Sequence, residues 1–203
     1  MKSSGREALL LMVIAVAALI ASGIEPYDRL TWMLEVSWVV IGVPILALTW
    51  RRFRLTPLLY RLLFLHAIVL IVGGHYTYSH VPLGLWVRDA FDLSRNHYDR
   101  LGHFVQGFVP AILVRELLVR RSPLVAGKWL FCITASICLA FSAFFETIEW
   151  WAALAWGGAA DDYLATQGDV WDTQWDMFLC LIGAIASQLV LSRAHGRQLA
   201  QVP

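Results

Sequence analysis

Apolar residues run along this chain in long, nearly unbroken stretches rather than in the one-sided pattern of a soluble helix. Six stretches approach or exceed the roughly 20 residues that cross a hydrocarbon core: 7–24, 32–50, 57–79, 100–119, 129–156 and 174–193. They predict an all-α fold: a polytopic membrane protein, a six-transmembrane-helix bundle. No internal repeat, low-complexity segment or linker interrupts the pattern, so residues 1–203 read as a single integral membrane domain. The first stretch follows Lys2 and Arg6 and ends in small residues, ALIASG (18–23), which leaves a cleaved signal peptide open. Its apolar run is longer than a signal core, so an uncleaved helix is the preferred reading.

Charge orients the helices. With the N-terminus in the cytoplasm, Arg29, Arg88, Arg95 and Arg100 fall outside and the other twelve of the sixteen basic residues fall inside. That asymmetry follows the positive-inside rule and places both termini in the cytoplasm. The acids run the other way, with only Glu7 and Glu116 inside. Two outer connections are long. Residues 80–98 alternate Leu85, Trp86, Phe91 and Leu93 with charges, as a short interfacial helix does. Residues 157–170 read as a loop, with glycines at both ends.

Composition agrees with a membrane protein and removes other classes. The chain is 59% hydrophobic, with mean hydropathy +0.62. A net charge of +1 and the lack of a basic, aromatic-interleaved patch exclude nucleic acid as a partner and leave membrane lipids. Cys132, Cys138 and Cys180 lie in apolar stretches without a CxxC pair, and read as small core residues. Most of the ten tryptophans sit near helix ends, as an aromatic belt.

The polar residues inside this apolar frame are concentrated. Three blocks, RNHYDRLGHFVQG (95–107), FFETIEWW (144–151) and GDVWDTQWDM (168–177), carry Asp99, His103, Glu146, Glu149, Asp169, Asp172 and Asp176 at the outer ends of the last three spans. Asp99 and His103 are four apart, and Glu146 and Glu149 three apart, so each pair shares a helix face. In the last helix, Asp169, Asp172, Asp176, Cys180, Gly183 and Ser187 recur at three- and four-residue steps, a polar and small stripe that must face protein or water. Because these helices alternate in direction, Asp99, His103, Glu146, Glu149, Asp172 and Asp176 are expected to converge in one pocket. His75, His80 and Glu35 lie at similar depth.

Bland explanations compete for several of them. Asp169 and Asp172 could be N-cap or first-turn acids. Asp99 could start a helix or pair with Arg95 or Arg100. His97 reads as an interfacial loop histidine, His66 as a satisfied core histidine, and Glu35 as a helix-start acid near the surface. Glu146 and Glu149 resist such explanations, because like charges at a helix C-terminus oppose both each other and the dipole. Their compensation is expected from one divalent cation held by Asp99, His103, Glu146, Glu149 and Asp176, its identity open among Zn, Mn, Mg and Ca. Shared protons are the rival. Arg95 and Arg100 are expected to be mostly hydrated at the membrane rim and to offset only part of the charge. No HExxH, ExxH pair, GxSxG or phosphate loop is present to name a reaction.

DRLGHF (99–104), FFETIEWW (144–151) and GDVWDTQWDM (168–177), with HYTYSHVPLG (75–84), resemble the YjdF-type bacterial inner-membrane proteins over most of the chain after about residue 30. More distantly, the last three helices are similar to VanZ-like proteins, linked to teicoplanin resistance. Asp99 and His103-Phe104, then Glu146 and Glu149, then Asp172 and Gly183 fit that pattern. Asp176 stands where the pattern has Asn, Leu179 where it has its first glycine, and the arginine usual before the last helix is missing. The resemblances imply a multi-pass inner (cell) membrane protein and supply no reaction. Three functions fit the residues: an envelope enzyme acting on a lipid or lipid-linked substrate from the periplasmic face, with Asp99, His103, Glu146, Glu149, Asp172 and Asp176 as its catalytic group; a non-catalytic membrane partner or sensor; and a proton-coupled transporter.

Overall fold

In the computed structural model, which describes residues 2–157 and 164–202, the helices are α1 (Lys2–Ser22), α2 (Arg29–Thr49), α3 (Pro57–Tyr76), α4 (Pro82–Ala90), α5 (Tyr98–Arg121), α6 (Lys128–Trp156) and α7 (Asp172–Leu199). All but α4 are long and apolar enough to span a membrane. The six expected spans are therefore the six long helices, extended by a few residues at most ends. Of the loop expected at 157–170, residues 158–163, including Asp161 and Asp162, lie outside the described residues.

Local chemistry sets the helix limits. Asp28 caps α2 by accepting from Thr31 N at 2.7 Å. Pro57 opens α3 at its first position, where no N–H is needed. α3 ends on Thr77, in the left-handed region at φ 53°, whose N–H reaches back to Gly73 and Gly74 carbonyls. The short α4 leaves Leu83, Trp86 and Phe91 exposed, as an interfacial helix should.

The tightest pairing is α5 against α7. A Cβ on Gly107 would collide with the Cys180 carbonyl, and one on Gly183 with the Phe104 carbonyl and Phe108 N. These two glycines let the backbones meet, the small-residue mode by which helices associate without a hydrophobic drive between them. Ala111, Cys138, Cys180 and Ala184 fill the seam shared with α6. Cys180 Sγ lies 3.5 Å from the Cys138 carbonyl. The reading of all three cysteines as core residues fails for Cys132, which is exposed on α6. An apolar environment outside the bundle tolerates a thiol there as readily as a core would.

α1 packs on α3, α2 on α3, and α3 on α5. The N-terminus of α1 meets the C-terminal end of α2 at Gly5 and Trp50, and the start of α3 through Glu7 and Arg61. The bundle thus has a basic end, with Arg6, Arg51, Arg52, Arg54, Arg120 and Arg121, and an acidic end at the starts of α2, α5 and α7 and the end of α6.

Candidate functional site

At the acidic end, Asp99, His103, Glu146, Glu149, Asp172 and Asp176 are all buried, between 3% and 8% exposed. The expected convergence is present, but it is split in two.

His103 centres the first half. Its Nε2 lies 3.5 Å from Asp99 Oδ1 and 3.9 Å from Asp176 Oδ2, and its Nδ1 lies 3.7 Å from Glu146 Oε1. These separations exceed a normal hydrogen bond of about 2.7–3.2 Å. His103 Nδ1, Glu146 Oε1 and Asp176 Oδ1 are buried without a hydrogen-bond partner. Ligand atoms of Asp99, His103 and Asp176 all lie within 4.8 Å of one another, so this buried group could hold a metal ion. An ion at about 2.0–2.6 Å from each oxygen or nitrogen fits such spacing. Glu146 also meets Thr173 of α7 and the carboxyl of Glu149.

Arg95 centres the second half, and here an expectation is overturned. Arg95 is buried at 5% exposure rather than hydrated at the rim. Its Nη1 pairs closely with Asp172 Oδ1 and lies 3.6 Å from Asp169 Oδ2, while Nη2 lies 3.9 Å from Asp99 and donates to the Ala165 carbonyl at 3.1 Å. Arg100 binds Asp169 at 2.5 Å and lies over the Trp175 ring at 5.3 Å. The α4–α5 connection folds inward because Asn96 anchors it. Asn96 Nδ2 donates to the Ser79 and Val81 carbonyls at 2.9 and 3.1 Å, and Oδ1 accepts from Tyr98 N at 3.0 Å. Gln167 exchanges two 2.9 Å hydrogen bonds with the Asn96 backbone. Asp172 is thereby committed to Arg95 and stands apart from the His103 group. Asp169 lies before Trp171, the N-cap of α7, and accepts from Trp171 N at 2.9 Å, so the first-turn reading holds for Asp172 and not for Asp169.

A cavity of about 340 Å³ adjoins the His103 half. Glu35, Tyr78, Asp99, His103 and Glu149 form its polar end, and Val39, Leu46, Leu63, Leu70, Leu113 and Phe145 are among its apolar walls. Two bland readings fail here. Glu35 is 4% exposed, not a surface acid, and meets Tyr78. His66 lines the cavity with its Nε2 buried and unpartnered, so it is not a satisfied core histidine. Burial, with the charges of Glu35 and Asp99, pushes the Tyr78 phenol well above its ordinary value and keeps it a donor toward Glu35. Tyr78 is held by close packing on Gly73, where a Cβ would meet its ring. His75 and His80 remain outside this group: His75 Nδ1 contacts the Ser22 carbonyl at 2.8 Å, and His80 stacks on Tyr27. Burial beside Arg100 and Arg95 lowers the pKa of His97, which fits an interfacial, neutral histidine.

The cavity borders the bundle surface. α2 meets α6 through Trp38 on Phe141 and Phe145, at ring separations of 5.0 and 6.3 Å. Beside that bridge, a Cβ on Gly42 would meet nothing within 4 Å, and Ile137 and Phe141 are exposed.

A second buried polar cluster, which hydropathy gave no reason to single out, lies at the basic end. Glu116 is fully buried and accepts from Thr56 N at 3.1 and 3.3 Å, Thr56 Oγ1 at 2.8 Å, Arg120 Nη1 at 2.8 Å and His195 Nε2 at 2.9 Å. Arg115 Nη1 lies 2.8 Å from His195 Nδ1. Arginine only donates, so that nitrogen accepts and the Nε2 proton points to Glu116. The only cue in the sequence was an acid inside an arginine-rich helix end.

The family described as "Predicted membrane protein (DUF2238)" matches residues 7–197. The chain is 55% identical over 181 residues to the inner membrane protein YjdF of Escherichia coli (strain K12), covering 89% of this chain and 87% of that protein. No solved structure matches it significantly. With six spans in the fold and these matches along nearly its whole length, the chain belongs to the DUF2238 family and is a YjdF-like, multi-pass inner-membrane protein.

Proposed function

We propose that this protein is an envelope enzyme acting on the polar end of a lipid or lipid-linked molecule, with both termini in the cytoplasm and the acidic end at the periplasmic face. One observation carries the reading: an apolar cavity on the α2–α6 seam ends on Glu35, Asp99, His103 and Glu149. An acyl or prenyl chain suits the walls, and a polar group would then stand against the acids. Asp99, His103 and Asp176, joined by Glu146, would hold a divalent cation, which would supply Lewis-acid chemistry at this end of the cavity. Glu149 and Glu35, on the cavity side, would exchange protons with the substrate. Asp172 acts as a positioning residue, holding Arg95 beside Asp99.

A purely structural polar core is the second reading, and the Arg95–Asp172 pair favours it for that half of the cluster. The unpartnered atoms around His103 weigh against it for the other half. A proton-coupled carrier gains little support, because beyond His66 and Gln106 the cavity walls are apolar.

The enzyme reading is tested in a deletion strain by lipid and peptidoglycan-precursor profiling. One lipid-linked species should accumulate, wild-type protein should clear it, and Glu149→Gln or His103→Ala should not. Unchanged profiles in the deletion strain would sink the proposal. Purified wild type should carry about one equivalent of divalent metal, lost in His103→Ala; metal-free protein whose melting ignores Zn, Mn, Mg and Ca would leave shared protons as the compensator. Alkaline phosphatase fused within 80–95 should be active and within 51–56 inactive, and the reverse would overturn the periplasmic placement.

A further inference from the structure

A second cavity lies at the opposite, basic end of the bundle. Its volume is about 1160 Å³, and it lies between the first two-thirds of α1 and the C-terminal third of α2, beside α3. The two helices touch near their ends. Trp32 packs on Gly23 and donates to Ser22 Oγ at 3.0 Å, while Trp50 sits 3.6 Å from a Cβ built on Gly5. Between these contacts the space is lined by Leu9, Met12, Leu46 and Phe64.

Its mouth is different in kind. Arg6, Arg51, Arg52 and Arg54 line it. Arg54 is drawn over the Trp50 ring, at 4.7 Å. Glu7, adjacent to Arg6 in the chain, is already bound by Arg61 at 2.6 and 3.0 Å. Among the described residues, Arg6, Arg51 and Arg52 have no acidic partner and are exposed.

From this we propose that the α1–α2 space is a binding site for an anionic phospholipid, its phosphate held by Arg6, Arg51 and Arg52 and an acyl chain lying along the apolar floor. Charge complementarity selects the occupant. Zwitterionic lipids offer the same chains without net negative charge, and a basic pocket between membrane helices is the recurring form of an anionic headgroup site. The site is separate from the acidic cavity and does not depend on the enzyme reading. The two cavities share only Val43, Leu46, Leu63 and Ala67 as a dividing wall.

The test uses the full chain in neutral detergent, titrated with phosphatidylglycerol, phosphatidylcholine or inorganic phosphate and read by native mass spectrometry and thermal shift. One phosphatidylglycerol should bind in preference to phosphatidylcholine. Each of Arg6→Gln, Arg51→Gln and Arg52→Gln should weaken it about fivefold, the factor for roughly 1 kcal/mol per basic residue near anionic lipid. Ala47→Trp keeps every arginine but fills the shaft from an exposed position, and should abolish retention while the protein still melts cooperatively. Equal retention of both lipids, equal stabilisation by inorganic phosphate, or indifference to the arginine and Ala47 changes would each overturn the proposal.

Discussion

Glu116 near one end of α5 and His103 near the other are both buried, and both sit where α5 meets α7, yet their surroundings differ. Glu116 accepts from Thr56, Arg120 and His195 at 2.8–3.3 Å, and His195 is itself held by Arg115. His103 faces Asp99, Glu146 and Asp176 at 3.5–3.9 Å, with three polar atoms around it unpartnered. Native proteins rarely leave buried polar atoms without partners unless the site has another use for them. The Glu116 cluster is a finished network that joins α3, α5 and α7. The acidic end is assembled but incomplete, as a site that receives a ligand would be.

The largest expected effect is at the finished end. Glu116→Ala removes the acceptor shared by Arg120, His195 and Thr56 at the α3 N-terminus, and should cost about 3–5 kcal/mol, as breaking a buried charge pair does. Thermal unfolding in detergent, or loss of folded yield, measures it. Glu116→Gln retains part of the acceptor set and should fall between. A small effect would mean that water replaces Glu116 easily, and the contrast between the ends would disappear.

Asn96→Ala comes next, because the acidic end also has a structural component. It would strip the Ser79 and Val81 carbonyls of a donor and Tyr98 N of an acceptor. The expected loss is about 1–3 kcal/mol, the range for stranding buried polar groups. Arg95 should be released as well, so Asp172 and Asp169 would become more accessible to a water-soluble carboxyl reagent. Destabilisation without that release would show that Arg95 is held independently of Asn96.

How much of this was legible in sequence follows from where each signal lives. The spans and the convergence of Asp99, His103, Glu146 and Asp176 follow from hydropathy and helical spacing, which are local. Gly183 was visible as part of a small and polar stripe, whereas the role of its counterpart Gly107 on α5 emerged only with the close approach of the two backbones. The burial of Arg95 was not, because it depends on Asn96 and Gln167 folding a connection inward across 71 residues of chain. Glu35 was read as a surface acid because its position in α2 says nothing of Tyr78 beside it. Glu116 was hidden for the same reason: its partners come from the start of α3 and the end of α7, and no periodicity brings those together.

Neutralising the open site should cost far less than breaking the finished one. Glu146→Gln and Asp176→Asn each remove one of several crowded like charges, so metal-free stability should stay within about 1 kcal/mol of wild type or rise. Added cation should separate them from wild type. At a free concentration of 100 Kd a ligand specific for the folded state contributes about 2.7 kcal/mol, which wild type should gain and the variants lose. A metal-free loss as large as that of Glu116→Ala would make the acidic cluster a structural core after all.

The smallest effect isolates what burial contributes. At the basic end, Glu7 and Arg61 form a close ion pair, 2.6 Å, with good two-point geometry. By distance alone it should rival Glu116. Its side chains are 39% and 57% exposed, however, so water and salt screen the attraction and ordering two long side chains offsets it. Glu7→Gln should therefore leave the melting temperature unchanged within error, at low and at high salt, while Glu116→Gln lowers it in both. If Glu7→Gln were as damaging as Glu116→Gln, charge pairing and not burial would govern the basic end. Its network would then have to be reread as an electrostatic clasp between α1 and α3 rather than a polar core joining α3, α5 and α7.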